Sequence, residues 1–515
     1  MAILRTTYAC RGAHRSFAAR RHQGRVQERG RVETGLLSTT YLAADDPAAD
    51  DPATDDPATS DLAPSATPSP FYVLVVLSTG VESAQREEGT IVIADQLPRL
   101  LNARPGTPRT LAEHEAVFAS TTRSNSLLGE LEASGLIGRG GAGFPTARKA
   151  RLLREQRGHH KVVIVNAMEG EPASHKDSTL LSANPHLVLD GAEMLASIIG
   201  ANEVIVCVAR DNPSVVNYVK QALHERERRS TRGASFSLHT PPWRYVAGEE
   251  SALVHWLNDN QSLPQYRPER PTILKLDRHP ALVDNAETCA NVALVGRFGA
   301  NWFRSLGTNE HPGSALVSIT GAVTRPTVLE VILGTPLRSI LDSVGAPAQP
   351  QGVLLGGYGG SWLHSRNLDT PYDNVSLGSL GASVGAGVII VLGHETCGIV
   401  ETQRVVKWMA NESARQCGPC AFGLPALSDD LLQLSHGSRD QKAALTRLRE
   451  RCGVIDGRGA CRHPDGVVRF VRSALDVFAD DLNRHVSGNP CHGARSTKHY
   501  ATVPRLEAEH ELVWE

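Results

Sequence analysis

Ser134-Gly-Leu-Ile-Gly-Arg-Gly-Gly-Ala-Gly-Phe-Pro-Thr146 is the stretch whose reading decides the fold. Gly135, Gly138, Gly140, Gly141 and Gly143 fall close together, with Arg139 among them and Lys149 just beyond. Lacking Cβ atoms, such a loop lets backbone N–H groups approach an anion and tolerates positive φ. Arg148-Lys-Ala-Arg-Leu-Leu-Arg154 then reads as a helix start, and a helix N-terminus is a natural phosphate seat. By itself the run is equally an ordinary flexible loop, so its neighbours have to decide.

Upstream, Leu127–Ser134 reads as a helix delivering the chain into the loop. Downstream, Val162-Val-Ile-Val165 reads as a buried strand that ends in the polar cluster Asn166-Ala-Met-Glu-Gly-Glu-Pro-Ala-Ser-His-Lys-Asp177. Ligands of open α/β sheets gather at the carboxyl ends of strands, so this cluster is expected to meet the glycine loop. Helices over 185–201 and 212–227, a strand Val204–Val208, and a third strand-like run Trp243–Val246 follow. The last leads into Gly248-Glu-Glu-Ser251 and a further helix. This alternation predicts an α/β domain over 111–305. Short β-rich runs (Ala315–Ile319, Thr327–Val331, Val353–Leu355) then predict a small separate module over 312–390. Helical spacing over Val400–Asn411, Asp440–Arg451 and Val467–His485 predicts a helical domain over 395–490.

The 515 residues carry a formal charge of −2, so no basic field points to nucleic acid. The apolar runs Phe71–Leu77 and Val388–Leu392 fall far short of the ~18 residues of a membrane helix. No direct membrane insertion is expected; any membrane association would come through partner subunits. Residues 1–31 carry eight arginines and one acid, and 45–61 repeat Asp-Asp-Pro-Ala. Residues 1–85 are therefore expected to be a disordered, low-complexity extension. Nine cysteines, crowded late in the chain with no secretory signal before them, suit a reducing, cytoplasmic compartment. Cys207 and Cys289 read as small buried hydrophobes. Cys417-Gly-Pro-Cys420 can turn two thiolates toward one metal centre, with Cys461 a third donor, and soft thiolates suit zinc or an iron–sulfur cluster. A four-thiolate zinc site that also uses Cys452 stays open.

Taken in order, these motifs, with Asp284-Asn-Ala-Glu-Thr-Cys-Ala-Asn291 and Glu412-Ser-Ala-Arg-Gln-Cys-Gly-Pro-Cys420, are highly specific together. From Ser134 to His485 the chain resembles the flavin-containing, NADH-oxidising subunit of bacterial NADH:quinone oxidoreductase and its relatives in soluble hydrogenases and formate dehydrogenases. The resemblance implies an α/β Rossmann-like FMN/NADH domain, a small β-grasp-like (soluble-ligand-binding) module, and a helical bundle with a [4Fe–4S] cluster. Gly138, Arg139, Gly140, Gly141, Gly143 and Lys149 would cradle FMN. Asn166, Glu169, Tyr245, Gly248, Asp284, Asn285 and Thr288 would line the rest of the flavin site. Glu171 and Glu250, as catalytic acids, would face the nicotinamide nucleotide with Glu249 and Phe144. Cys417, Cys420 and Cys461 would hold the cluster.

Departures from the family pattern carry expectations of their own. Ala414 replaces the first cluster cysteine, which leaves the fourth ligand to His463, Asp465, Cys397, Cys452 or Cys491, or implies a [3Fe–4S] cluster. Met168 replaces an acid expected against the flavin, Arg270 an aromatic expected on adenine, and Ala150 a tryptophan. The implied activity is hydride transfer from NAD(P)H to FMN, with single electrons passed through the cluster to a ferredoxin-like or quinone-linked acceptor. The rival readings are a true respiratory-complex subunit, and a non-catalytic relative with structural zinc and an idle nucleotide pocket.

Overall fold

The computed structural model describes residues 72–75, 98–118, 126–158, 160–228, 233–266, 273–436 and 440–504. Strand β1 (Tyr72–Val75) lies within the 1–85 stretch expected to be disordered; the rest of that stretch is outside the described residues. Strands β2 (Val162–Ala167), β3 (Glu203–Val208), β4 (Ser235–His239), β5 (Leu274–Leu276) and β6 (His279–Asn285) form one sheet in the order β4-β3-β2-β6-β5. Strands β7 (Ser314–Gly321), β8 (Thr327–Ile332), β9 (Gly352–Leu355), β10 (Ser361–Leu363) and β11 (Val388–Leu392) join β1 in a second, ordered β1-β8-β7-β11-β9-β10.

In the first sheet β4, β3, β2 and β6 run parallel, and only the edge strand β5 is antiparallel. Val162-Val-Ile-Val165 is apolar without alternation because both of its faces are covered. Val163 and Val165 join the core beneath helices Thr146–Arg154, Pro185–Ile199 and Ala286–Arg304. Val162 and Ile164 join the core closed by helix Glu250–Asp259. From β2 the chain steps outward through β3 to β4, then returns to the other side of β2 to form β6. That reversal opens a crevice at the carboxyl ends of β2 and β6, where Asn166 and Asn285 stand opposite one another.

Two expectations need correction. The third strand of this sheet is β4, whose Ser-Phe-Ser-Leu-His sequence is half-buried at the edge, and not Trp243–Val246. The latter run is an aromatic wall: Trp243 Nε1–H donates to the Glu169 carbonyl at 3.2 Å, and Tyr245–Gly248 makes one 3-10 turn. Likewise, the single helix expected over Val467–His485 is two, His463–Val477 and Ala479–Val486. Phe478 breaks it at φ −105° and ψ 31°, turning its ring against Gly398, where a Cβ would stand 2.4 Å from the ring atoms.

The second sheet packs one face (Val317, Ile319, Ile389, Val391) on helix Leu337–Ser343. Its other face (Leu354, Val388, Ile390, Leu392) packs on the C-terminal helices. Among the described residues no helix is long and apolar enough to cross a membrane. Helices Pro185–Ile199 and Ala286–Arg304 meet backbone to backbone at Gly191, where a Cβ would stand 1.7 Å from the Cys289 carbonyl oxygen. Gly191→Ala should therefore overpack this crossing and destabilise the protein by about 3 kcal/mol, read by chemical denaturation. A loss under about 0.5 kcal/mol would show that the two helices part freely.

Candidate functional site

The glycine loop arrives at this crevice pinned at its base. Gly138 N–H donates to the Phe144 carbonyl at 2.9 Å, and Thr146 N–H to that of Leu136 at 3.0 Å. Gly141 sits at φ 101°, a conformation that side chains rarely adopt. Across the crevice, Gly385 presses its backbone on Gly356; a Cβ there would stand 2.6 Å from the Gly356 Cα. Between these walls lies a cavity of about 370 Å³, in the size range of cofactor sites. Its lining comes from the loop (Gly140, Gly141), the strand ends (Asn166, Asn285), the start of helix Lys176–Ala183 (Lys176, Asp177), the second sheet's loops (Gly356, Gly359, Gly360, Ser383) and the helical region (Met409, Cys461, His463, Arg469).

The acids of this region play different parts. Glu169 lines the cavity, but its carboxylate caps helix Lys176–Ala183, accepting from Asp177 N–H at 2.9 Å and Ser178 N–H at 3.1 Å. Glu249 caps helix Glu250–Asp259 through Ser251 N–H at 2.9 Å and Ala252 N–H at 3.1 Å. Glu171 is buried, and burial pushes its carboxyl up to about 7 against the opposing pull of Tyr358 N–H, Ala173 N–H and the Tyr245 hydroxyl. Asp177 is pushed up to about 6 by burial, with Lys176 opposing.

Of the residues expected at the site, Gly140, Gly141, Asn166, Glu169, Glu171, Tyr245, Gly248, Glu249, Asn285 and Cys461 line this one cavity. The others stand behind it. Arg139 turns inward: its N–H donates to Thr288 Oγ1 at 2.8 Å, its guanidinium reaches the Pro312 carbonyl at 3.4 Å, and burial holds its pKa down. Lys149 pairs with Glu250 at 2.5 Å and donates to the Val283 carbonyl, next to Asp284, whose carboxyl burial pushes up to about 6. Phe144 lies under Arg148, 5.6 Å from its guanidinium, and Gly138 and Gly143 shape the loop. Met168 does not face this cavity; it is 1 % exposed and packs in the apolar layer with Ile164 and Val283. Ala150 is likewise buried in the core, and Arg270 falls outside the described residues. Sequence reasoning placed Lys176 in the polar cluster expected to meet the loop without giving it a role, and missed Ser383 and Arg469 as lining residues, although Gly356-Gly-Tyr-Gly-Gly360 is a second glycine run that signals its wall.

Cys417 and Cys461 both neighbour Cys420: burial first, then these two thiols, push the Cys420 thiol up. Such a group of soft thiol donors suits a cationic metal centre. Among the described residues these three do not converge within 4.8 Å as ligands of a single ion would, which suits a cluster with separate iron corners. For the fourth position, Asp465 is committed to Gly457 N–H at 2.9 Å and Arg462 at 2.9 Å. Cys452 has Arg472, Asp456 and Asp430 for charged neighbours. His463 donates Nε2–H to the Met409 carbonyl at 2.9 Å and keeps a buried Nδ1 with no hydrogen-bond partner. Burial pushes it down to about 4, so that nitrogen offers a free lone pair.

Comparison with known proteins agrees with this geometry. Residues 131–294 match the family model described as the Nuo51 FMN-binding domain, and residues 401–485 that of the NADH-ubiquinone oxidoreductase-F iron-sulfur binding region. The NADH-quinone oxidoreductase-F protein of Streptomyces coelicolor is 30% identical over 379 residues, 71% of this chain and 84% of the relative. The chain belongs to the NADH-quinone oxidoreductase-F family. Its Mycobacterium bovis relative is also 30% identical, over 72% of this chain and 87% of its own length. A chain of an NAD+-reducing [NiFe]-hydrogenase shares the fold at TM-score 0.65 and 27% identity, covering 70% of this chain and 62% of the hydrogenase chain. Membership of this family makes the protein an NADH dehydrogenase-like oxidoreductase with FMN, NADH and an iron–sulfur cluster as cofactors.

A raised carboxyl pKa has a consequence for stability. Between about pH 4.5 and 7 the unfolded chain has released the Glu171 proton while the folded protein keeps it, so stability falls across that window as pH rises. Asp177 and Asp284 act in the same direction up to about pH 6. In flavin-stripped protein, Glu171→Gln should recover up to about 3 kcal/mol of this decline by pH 7, measured by urea titrations at several pH values. A decline identical to wild type would assign it to other carboxyls.

Proposed function

We propose that the cavity holds FMN facing the nicotinamide of NAD(P)H, and that Cys417, Cys420 and Cys461, with His463 as the fourth donor, hold the cluster. Electrons would leave to a ferredoxin-like or quinone-linked protein acceptor. In this reading 111–305 is the FMN/NADH domain, 312–390 a β-grasp-like module and 395–490 the iron–sulfur domain. The observation that carries it is that Cys461 and His463 line the same cavity as Gly140, Asn166 and Asn285. FMN supplies the conversion of a two-electron hydride into single electrons, and the cluster carries them onward.

The chain's own residues bind and orient the ligands. Gly140 and Gly141 leave backbone free to approach a phosphate, and Lys176 sets a fixed positive charge in the cavity floor. Asn166 is oriented by its own Nδ2–H donating to the Gly248 carbonyl at 2.8 Å, which fixes the floor against the 3-10 turn. Glu171, with a pKa of about 7, can hold or release a proton near neutrality beside the redox site. The glycine backbones at Gly356 and Gly385 press together to form the far wall.

The test is the absorption spectrum of anaerobically purified protein before and after NADH, with flavin and iron measured on the same sample. Flavin bands and an iron–sulfur shoulder that bleach with NADH are expected; a colourless protein would overturn the reading. Gly141→Val forces a β-branched residue to φ 101° and should cost flavin affinity about tenfold or more. Cys420→Ser should strip most of the iron, and unchanged iron would remove Cys420 from the ligand set.

A further inference from the structure

Cys397 and Cys491 lie outside both segments that match the family models, and the structure carries them away from the other cysteines. Helix Leu424–His436 gives the scale. Cys420 stands just before its first turn, while His485 Nδ1 bonds the Leu434 carbonyl near its last, at 3.0 Å. At 1.5 Å per residue the two ends are about 15 Å apart, so neither Cys397 nor Cys491 can complete the cluster. Instead they meet His485: its Nε2 is 3.5 Å from Cys397 Sγ and 3.4 Å from Cys491 Sγ.

We propose that Cys397, His485 and Cys491 bind a structural zinc ion that clips the C-terminal tail onto the helical bundle. Their donor atoms all lie within 4.8 Å of one another, and all three residues are buried. Tetrahedral zinc, with Zn–S of about 2.3 Å and Zn–N of about 2.05 Å, sets sulfur and nitrogen about 3.6 Å apart, close to the spacing here. The two thiols also hydrogen-bond to one another, so the three side chains already form a polar cluster into which a cation can insert. Because Nδ1–H is committed to the Leu434 carbonyl, Nε2 has one lone pair, yet two thiols converge on it from nearly equal distance. Asp481 lies one helical turn before His485, within hydrogen-bonding reach of the Cys491 sulfur, and Gln351 Nε2–H donates to its Oδ2 at 2.7 Å, so it supports Cys491 from outside the donor set. Two thiolates and one imidazole supply three donors, a water completes the tetrahedron, and zinc binding releases the two thiol protons to solvent.

The site would fix a tail that folds back over the bundle. Gly493 packs on the backbone of Thr396, where a Cβ would stand 2.2 Å from the carbonyl carbon. Tyr500 and Ala501 N–H groups donate to Glu401 at 3.3 and 3.2 Å, and the Tyr358 hydroxyl donates to the Thr502 carbonyl.

The experiment quantifies zinc and iron in anaerobically purified full-length protein. The wild type and a Cys417→Ser/Cys420→Ser variant, whose cluster site can hold neither metal, should both retain about one zinc per chain. His485→Gln should keep iron, lose zinc and expose the tail to limited proteolysis near 486–490. Should that variant fail to fold, exchange of wild-type protein with Co(II) reads the donors directly through thiolate charge-transfer and tetrahedral d–d bands. Absence of zinc in the Cys417→Ser/Cys420→Ser variant together with no thiolate–Co(II) bands, or a Cys397–Cys491 disulfide in the purified protein, would overturn the proposal. Loss of flavin or iron alone bears on the redox reading and leaves this site untouched.

Discussion

The Lys176 ammonium, 3 % exposed, holds the floor of the cavity together. It contacts Asp177 Oδ1 at 2.8 Å, Asn285 Oδ1 at 3.0 Å and Glu287 Oε2 at 3.1 Å. Burial alone would lower its pKa, but Asp177 and Glu287 more than reverse this, so the charge stays on. A buried cation is tolerable only with such partners in place, and here each comes from a different part of the fold. Asp177 belongs to helix Lys176–Ala183, Asn285 ends β6, and Glu287 opens helix Ala286–Arg304. Glu287 also accepts from Leu316 N–H of β7 at 2.9 Å, so the same ion network ties one sheet to the other. Asn285 Nδ2–H donates to the Asn166 carbonyl at 3.2 Å and to Asp177 at 2.6 Å, which closes the circuit under the strand ends.

On that floor, similar side chains acquire different chemistry from their surroundings. Glu169 and Glu249 each present a carboxylate to the open N–H groups of a helix start, a favourable place for negative charge. They shape the crevice by fixing where two helices begin. Glu171, two residues from Glu169, is buried away from any helix start, and burial pushes its carboxyl up to about 7 despite its hydrogen bonds. The four acids thus divide into two caps, one ion-pair partner of Lys149, and one titrating group.

Much of this was legible in the sequence, for definite reasons. Helix Leu127–Ser134 was readable because Gly135 ends it at φ 70°, and helix Pro185–Ile199 because proline opens it and Gly200 closes it at φ 73°. Strand β2 was readable because both faces are covered. Strand β4 was not, because an edge strand with Ser and His at alternate positions has no apolar signature. Trp243–Val246 misled because aromatic residues suit strands and aromatic walls equally. At the site, residue type identified the strand-end asparagines and the loop glycines, but not which way Arg139 and Lys149 would point. Those directions depend on Thr288, Pro312 and Val283, far away in sequence. The Cys397–His485–Cys491 grouping was invisible for the same reason: its members share no local spacing, and only the packing of the C-terminal helices brings them together.

The walls of the cavity come from residues as far apart as Gly140 and Arg469, more than 300 positions along the chain. A chain still emerging from the ribosome would have the glycine loop and strand ends long before the far wall existed. The loop-closure cost of joining such distant segments is met only when both sheets and the helices have docked. A chain that ends at residue 294, where the match to the FMN-binding family model stops, therefore lacks half of the cavity's walls. The boundary of a recognisable sequence segment and the boundary of the cavity are, in this protein, different things.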